Sequence, residues 1–160
     1  MILGGSRTLQ ARDERIKARL AQFIEHCRAR GLSVTPQRLA IYHALITSSH
    51  HPSAEDIYRR IRRQYPTISL ATVYKTLETL EQEGFISKVT PLHETARYDP
   101  NRTRHHHLIC VRCHTIEDFS AEALERLALP QDVTGSWRVL EYTVQVLGIC
   151  RECQKKERAP

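Results

Sequence analysis

The chain has 160 residues, of which 41% are hydrophobic and 6% aromatic, and its formal net charge is +6. This length allows one ordinary domain or two small ones. No apolar run approaches the roughly 20 residues that span a bilayer, and residues 1–5 are too short for a secretory signal peptide. We therefore expect a cytoplasmic protein whose cysteines are reduced.

The positive charge is concentrated in the first part of the chain. Residues 1–95 carry 14 Lys and Arg against 9 Asp and Glu, whereas residues 96–160 carry 10 against 9. A basic module joined to a nearly neutral one fits a nucleic-acid-binding domain followed by a second domain.

Four helices are predicted in the first part. Apolar residues recur every three or four positions over residues 12–30, whereas residues 1–11 show no such period and are expected to be flexible. Side chains that favour a helix start precede the next three helices: Thr35 followed by Pro36, Ser53 with Asp56 in a capping-box position, and Ser69.

A β-hairpin is predicted after the fourth helix. Residues 85–89 form a strand-like run, a turn is expected at residues 91–94, and residues 96–98 supply the returning strand. Helices followed by a β-hairpin are the element order of a winged helix-turn-helix domain, which we assign to residues 12–97. The predicted fold class is α+β.

The fourth helix carries polar side chains near its start that its buried apolar stripe does not use. In a helix-turn-helix motif, the early residues of the second helix lie at base edges in the major groove. A lysine there can reach guanine acceptors or phosphate, and a tyrosine ring can contact thymine methyl groups. The candidate DNA contacts are Thr72, Tyr74, Lys75 and, in the second helix, Arg38. The alternative is a helical bundle without a role in DNA binding.

Residues 103–160 are predicted to form a small α/β domain. Strands are expected at residues 107–110 and 115–119, a short helix at 121–129, and a β-rich segment at 137–147. Such a domain is small for an independent core, so we expect zinc and dimerisation to stabilise it.

Two Cys-x-x-Cys pairs in this domain supply four thiolates, the full ligand set of a closed tetrahedral zinc site. The pairs are Cys110 with Cys113 and Cys150 with Cys153, and 36 residues separate them. A spacer of that length suggests a zinc ion that fastens the end of the chain to a sheet, and disulfides are the alternative. The fifth cysteine, Cys27, fits a buried position on the first helix.

Three histidines precede the first cysteine pair. Residues two apart on a strand share a face, so His105 and His107 point one way and His106 points the other. With Asp99 and Asp118 nearby in sequence, they offer nitrogen and oxygen ligands that suit Fe(II) or Mn(II) better than a thiolate site does. The alternatives are a surface histidine run, a loose zinc site, or the facial triad of a metalloenzyme.

Five motifs together resemble the Fur superfamily of bacterial metal-dependent repressors, over the chain from about Ile16 to Lys156. They are TPQR at 35–38, HHPSAEDIY at 50–58, ISLATVYKTLETL at 68–80, HHHLICVRC at 105–113 and CREC at 150–153. The resemblance implies a homodimer that binds a double-stranded DNA operator through an N-terminal winged-helix domain and associates through a C-terminal dimerisation domain. It implies a repressor and not an enzyme.

The resemblance also implies two metal sites. The four cysteines of the two pairs would hold structural zinc. A regulatory Fe(II) or Mn(II) between the domains would be held by His51, Asp99, His105, His107 and Asp118. Metal binding would favour the closed dimer whose recognition helices match an operator.

A further metal site of many iron sensors in this superfamily looks degraded here. Its positions hold Arg104, His106, Glu125 and Tyr142. At most two plausible ligands, His106 and Glu125, therefore remain.

Within the superfamily, the ligand types favour the peroxide-sensing PerR branch. Asp118 stands where peroxide sensors carry aspartate and iron sensors usually carry glutamate, and Asp99 also matches the peroxide sensors. In that mechanism bound Fe(II) reacts with hydrogen peroxide, oxygen is added to a ligand histidine, here His51 or His105, and the operator is released. The alternatives are an iron-responsive repressor and a zinc-responsive repressor, although the zinc-sensing branch commonly uses a cysteine in its sensory site.

Overall fold

The structure is a computed structural model that describes residues 5–89 and 95–158. The chain divides into two compact units, residues 1–102 and residues 103–160. The fold class is α+β, with a winged helix-turn-helix in the first unit and a three-stranded sheet in the second. Along the described residues, no helix combines the length and apolar character needed to cross a membrane.

The first unit contains four helices followed by a two-stranded hairpin. The helices are α1 (Gly5–Ala29), α2 (Pro36–Ile46), α3 (Ala54–Ile61) and α4 (Leu70–Gln82). The hairpin strands β1 (Ser87–Val89) and β2 (Arg97–Asp99) pair antiparallel. This order of helices and strands confirms the prediction, whereas the turn predicted at residues 91–94 lies outside the described residues.

Helix α1 begins at Gly5 and not at Arg12, so the predicted start is too late and part of the segment expected to be flexible is helical. Residues 7–11 include arginine, leucine, glutamine and alanine, all of which have high helix propensity. Helix propensity therefore explains why α1 extends beyond the stretch in which apolar residues recur periodically.

The three predicted helix caps are present. Thr35 Oγ1 accepts a hydrogen bond from the Arg38 N–H at 3.2 Å, and Ser69 caps α4 in the same way. At α3, Ser53 Oγ accepts from the Asp56 N–H at 3.1 Å, and Asp56 Oδ2 accepts from the Ser53 N–H at 3.0 Å. These bonds satisfy N–H groups that have no partner within the helix, and they fix where α2, α3 and α4 begin.

Aromatic rings lie at the centre of the first unit's core. The Phe23 and Tyr42 rings stack with centroids 4.3 Å apart, and Phe85 meets Phe23 edge-on at 5.0 Å. Contacts between aromatic rings in these geometries add to the gain from burying apolar area. Cys27 is buried in this core, as predicted.

The second unit is built on a sheet of three strands. The central strand β3 (His106–Cys110) runs antiparallel to β4 (Ile116–Phe119) and parallel to β5 (Gln145–Gly148). Three helices complete the unit: α5 (Glu122–Glu125), α6 (Gln131–Thr134) and α7 (Arg151–Arg158).

Two predictions for the second unit were wrong in extent. The helix expected at residues 121–129 covers only Glu122–Glu125, and the β-rich segment at 137–147 becomes a strand only at Gln145. Trp137 is 75% exposed and Leu140 is 84% exposed. Strand propensity reflects how well a side chain packs on a sheet, and these residues pack against none in the described part of the chain.

Gly84 follows the C-terminal end of α4 and allows the chain to leave the helix. It has a φ of +69°, a left-handed conformation that is costly for residues with a Cβ. An added Cβ would meet no atom within 4 Å, so the cost is conformational and not steric. Gly84→Ala should lower the free energy of unfolding by about 1 kcal/mol in urea denaturation. Gly84→Asn should cost less because asparagine tolerates this conformation, and equal losses for the two variants would contradict this account.

Candidate metal sites and DNA-contacting surface

The four cysteines of the Cys-x-x-Cys pairs converge in the second unit. Cys110 ends β3, Cys113 lies in the following turn, and Cys150 and Cys153 lie at the start of α7. Their sulfur atoms all lie within 4.8 Å of one another, and the sulfurs of Cys113 and Cys150 are 3.6 Å apart. Four thiolates bound at about 2.3 Å to one zinc ion would lie roughly 3.8 Å apart, so this sulfur cluster matches a tetrahedral site.

The alternative of two disulfides does not hold. All five cysteines are free thiols, and a disulfide would need a sulfur separation of about 2.05 Å. The cysteine pairs are therefore available as metal ligands.

Backbone groups hold the first cysteine pair in place. His114 takes a left-handed φ of 60°, and its N–H donates to the Cys110 carbonyl at 2.9 Å. The Cys150 N–H donates to the Cys110 sulfur at 3.3 Å. That hydrogen bond is the largest cause that lowers the pKa of Cys110 to about 6. The thiolate, which is the metal-binding form, is therefore favoured at this position.

The negative charge that the four thiols would carry when ionised also favours a bound cation. The hydrogen bond that the Cys153 thiol donates to Cys113, followed by the loss of hydration and by the other neighbouring thiols, raises the pKa of Cys153 to about 12. Adjacent sulfurs cannot all lose their protons unless a positive charge lies among them, because like charges repel. A divalent metal removes that repulsion, so four convergent thiols of this kind fit a metal site.

The first unit brings together two of the predicted sensory ligands, His51 and Asp99. His51 Nε2 lies 3.4 Å from Asp99 Oδ2, and the side chains are only 8% and 2% exposed. The Tyr98 N–H donates to the Pro52 carbonyl at 3.0 Å, which ties β2 to the segment that carries the histidine. Asp99 Oδ1 accepts from the Asn101 N–H at 2.7 Å. Burying a carboxylate is costly unless a positive group lies beside it, as a bound cation would.

The second unit brings together the other three predicted sensory ligands, His105, His107 and Asp118. The Nε2 atoms of the two histidines are 3.0 Å apart, and they lie 3.8 and 4.0 Å from Asp118 Oδ1. The pairing of β3 with β4 sets His107 opposite Asp118. His105 Nδ1 lies 2.6 Å from the Thr103 carbonyl, which assigns the ring proton to Nδ1. The lone pair of Nε2 is then available to a metal.

The middle histidine of the run, His106, points to the opposite face and is fully buried. Its Nδ1 accepts from the Val144 N–H at 3.2 Å, so the neutral ring carries its proton on Nε2. The Arg104 guanidinium lies over the Tyr142 ring, 4.0 Å from its centroid. Within the described ranges, no cluster of three or more ligating side chains includes His106 or Glu125.

Two of the predicted DNA contacts lie on the exposed face of α4. Tyr74 is 40% exposed, and Lys75 is also exposed. Thr72 Oγ1 lies 2.8 Å from Ser69 Oγ, so this hydroxyl also takes part in the helix cap. Arg38 is only partly buried, and its Nη1 donates to the Ser33 carbonyl at 2.5 Å. The buried face of α4 consists of Val73, Thr76, Leu77 and Leu80.

One residue of this surface, Glu55, was missed in the sequence analysis. The Tyr74 hydroxyl donates to Glu55 Oε1 at 2.6 Å, which joins α4 to the first turn of α3. This hydrogen bond is the largest cause that raises the pKa of Tyr74 to about 12 and lowers the pKa of Glu55. The only signal in the sequence was an acidic side chain within a basic domain, which does not reveal its partner.

The chain matches the ferric uptake regulator family over residues 29–146. It is 35% identical over 139 residues to the peroxide operon regulator of Bacillus subtilis, which covers 86% of this chain and 95% of that protein. It is 35% identical over 144 residues to the peroxide-responsive repressor PerR of Staphylococcus aureus, which covers 89% of this chain and 97% of that protein.

The fold is also similar to that of a solved structure, the ferric uptake regulator Fur of Helicobacter pylori. The TM-score is 0.73 at 27% identity, over 87% of this chain and 93% of that one, and that protein is described with three functional metal-binding sites. The relatives are regulators of transcription and not enzymes. The chain therefore belongs to the ferric uptake regulator family.

Proposed function

We propose that this metal-dependent repressor releases its operator when hydrogen peroxide oxidises a histidine of its sensory ligand set. The observation that carries the proposal is the donor chemistry of His105, His107 and Asp118, which supply two nitrogens and a carboxylate. The five cysteines lie elsewhere, four in the sulfur cluster and Cys27 in the first unit's core. Nitrogen and oxygen donors suit Fe(II) and Mn(II), and the names of the relatives point to the same signal.

One regulatory ion is proposed to join the two partial ligand sets. His51 and Asp99 supply two donors, and His105, His107 and Asp118 supply three. Neither set alone fills the roughly six positions of an octahedral Mn(II) or Fe(II) site. An ion held by both units would couple metal occupancy to the placement of the DNA-binding unit, because it binds best to the arrangement that offers all its ligands.

When bound, Fe(II) would supply the electrons that cleave the O–O bond of hydrogen peroxide, and oxygen would be added to the ring of His51 or His105. The chain's own residues orient the target, since the Thr103 carbonyl accepts a hydrogen bond from the Nδ1–H of His105 and leaves Nε2 directed toward the ligand set. A ring that carries added oxygen binds metal poorly, so the coupling is lost and the operator is released. Mn(II) would support repression without this chemistry.

The proposed partner is a double-stranded operator, bound by a homodimer through α4, with Tyr74, Lys75, Thr72 and Arg38 as contacts. The second unit leaves large apolar side chains exposed, including Trp137 at 75%, Leu140 at 84% and Leu147 at 49%. Apolar surface of this kind favours a partner, and a second copy is the proposed one. A repressor that binds an operator would act in the cytoplasm.

Zinc is the proposed ion of the sulfur cluster, where four thiolates would close its tetrahedral coordination. It would fasten α7 to the end of β3 and would leave no open position for chemistry. Its role is therefore structural, and the sensory role belongs to the nitrogen and oxygen ligands.

Peroxide sensing is tested with anaerobic, Fe(II)-loaded protein on an operator selected from a random duplex library. A small dose of hydrogen peroxide should abolish binding and add one oxygen at His51 or His105 in peptide mass spectra. The Mn(II)-loaded protein should keep both its binding and its unmodified histidines. Binding that survives peroxide but disappears when a chelator removes iron would instead make this an iron-responsive repressor.

The role of α4 is tested by Lys75→Ala. Loss of one base or phosphate contact should weaken operator binding by about 1–3 kcal/mol in fluorescence anisotropy. Lys155→Ala is the control, since it removes the same charge from an exposed position on α7 and should leave the affinity unchanged. Equal affinities for wild type and the Lys75 variant would contradict the assignment of α4 as the DNA-contacting helix.

The sulfur cluster is tested by Cys113→Ser. The variant should bind less than one zinc ion per protomer by elemental analysis and unfold at a lower temperature, because structural zinc contributes directly to folding. Cys27→Ala should keep its zinc although it removes a buried core side chain. Full zinc occupancy in the Cys113 variant would show that the cluster is not the zinc site.

A further inference from the structure

The hydroxyl group of Tyr74 is held by a carboxylate on the neighbouring helix. Its oxygen lies 2.6 Å from Glu55 Oε1, while 40% of the tyrosine side chain stays exposed. The contact therefore restrains one end of a ring that lies on the proposed DNA-contacting face. Hydrogen bonds to an ionised carboxylate are among the stronger ones in proteins, so the restraint on the ring is substantial.

Within the described residues, no neighbouring cation neutralises the charge of Glu55, so that charge acts on the Tyr74 hydroxyl. Its neighbour Asp56 is bound by Arg59 at 2.5 Å and by Arg97 at 3.2 Å. Glu55 has no such cation in the described part of the chain, and the Tyr74 hydroxyl is its strongest hydrogen-bond partner, with smaller contributions from its own backbone and from Ser53. Its second oxygen, Oε2, is buried and accepts no hydrogen bond from the described residues.

The proton in this pair stays on the tyrosine. The shared hydrogen bond lowers the pKa of Glu55 and raises the pKa of Tyr74 to about 12, so the pair is carboxylate and neutral phenol at neutral pH. A phenol has one O–H to donate. Because Tyr74 donates that O–H to Glu55, the tyrosine oxygen can only accept hydrogen bonds from any other group.

We propose that Glu55 is a positioning residue for sequence recognition, which makes the Tyr74 oxygen an acceptor toward the bases and bars it from donating to guanine or phosphate. The proposal rests on the proposed function, because it assumes that α4 enters the major groove. Adenine and cytosine present amino donors there, thymine presents a methyl group beside its O4 acceptor, and guanine presents only the acceptors N7 and O6. Guanine is therefore disfavoured at the base that Tyr74 meets.

The carboxylate has a second effect on binding to DNA. A negative charge beside the recognition helix repels phosphates, and this penalty applies to every duplex whatever its sequence. A duplex that gives Tyr74 its preferred base offsets the penalty, and an unrelated duplex does not. Glu55 should therefore raise specificity while it lowers general affinity.

A purely structural role is the competing explanation, in which the hydrogen bond only holds α3 against α4. That role predicts altered stability without altered base preference. Ile57 of α3 and Val73 of α4 are already fully or almost fully buried in the same core, so packing between these helices does not depend on the hydrogen bond alone. Base preference is therefore the measurement that separates the two explanations.

The experiment uses the full-length, Mn(II)-loaded protein, for which the operator is first selected from a random duplex library. Anisotropy then gives the affinity for that operator, for its single-base-pair variants and for an unrelated duplex. The variants are Glu55→Ala, which frees the tyrosine O–H, Glu55→Gln, which keeps an acceptor but removes the charge, and Tyr74→Phe, which removes the hydroxyl. Thermal unfolding of each variant reports stability separately.

The proposal predicts a change confined to one position of the operator. Glu55→Ala should cut discrimination against guanine there by about tenfold, and Tyr74→Phe should alter the preference at the same position. In the double variant, adding Glu55→Ala to Tyr74→Phe should change that preference no further. Glu55→Gln should keep the preference and bind the unrelated duplex several-fold more tightly at low salt.

The outcomes separate this proposal from the proposed function. If Lys75→Ala weakens operator binding while Glu55→Ala and Glu55→Gln leave every base preference and the unrelated-duplex affinity unchanged, the role of Glu55 is overturned and α4 stays the reading helix. If Lys75→Ala and Tyr74→Phe both leave binding unchanged, the proposed interface fails and this proposal fails with it. Should the alanine variant not fold, the glutamine and phenylalanine variants decide the question by the same readouts.

Discussion

The second unit is proposed to be held together by a metal ion bound to four cysteine sulfurs. Among its described residues the buried apolar side chains are Ile109, Cys110 and Ile116, and both α5 and α6 are only four residues long. So little apolar burial cannot offset the conformational entropy that the chain loses on folding. A metal bound by two cysteine pairs 36 residues apart acts as a cross-link and restricts the unfolded chain as well. The positions of the proposed ligands on β3 would depend on that link.

Strand β3 shows how three identical residues come to have two roles. The alternation of a strand sends His105 and His107 toward Asp118, where their Nε2 atoms converge. His106 goes to the other face, where a backbone N–H fixes its ring. Because Cys110 ends the strand that carries His107 and directly follows His105, the proposed cross-link and these two proposed sensory ligands share one support. Distortion of the sulfur cluster would therefore also disturb the sensory ligands.

Features that depend on neighbours in sequence could be predicted, and features that depend on distant partners could not. The helix caps, the alternation of the histidines and the two cysteine pairs all follow from short spacings. Residues 137–143 have strand-forming side chains but pair with no strand among the described residues, so the strand predicted there was wrong. Helix α7 has no apolar period and was not predicted. The bond between Glu55 and Tyr74 spans 19 residues and exists only because α3 packs beside α4. Of the proposed sensory ligands, only His51 came from the family resemblance alone, since spacing could not bring it near Asp99.

The parallel pairing of β3 with β5 affects the order in which parts of the protein can fold during synthesis. His107 lies beside Gln145, so the central strand of the second unit gains its second neighbour only after a long stretch of chain has been synthesised. Parallel pairings between distant segments form slowly, whereas local helical contacts form early. The first unit ends at residue 102, so it is fully synthesised while the first cysteine pair still lacks Cys150 and Cys153. A nascent chain can thus complete the proposed DNA-contacting unit before the unit that is proposed to regulate it.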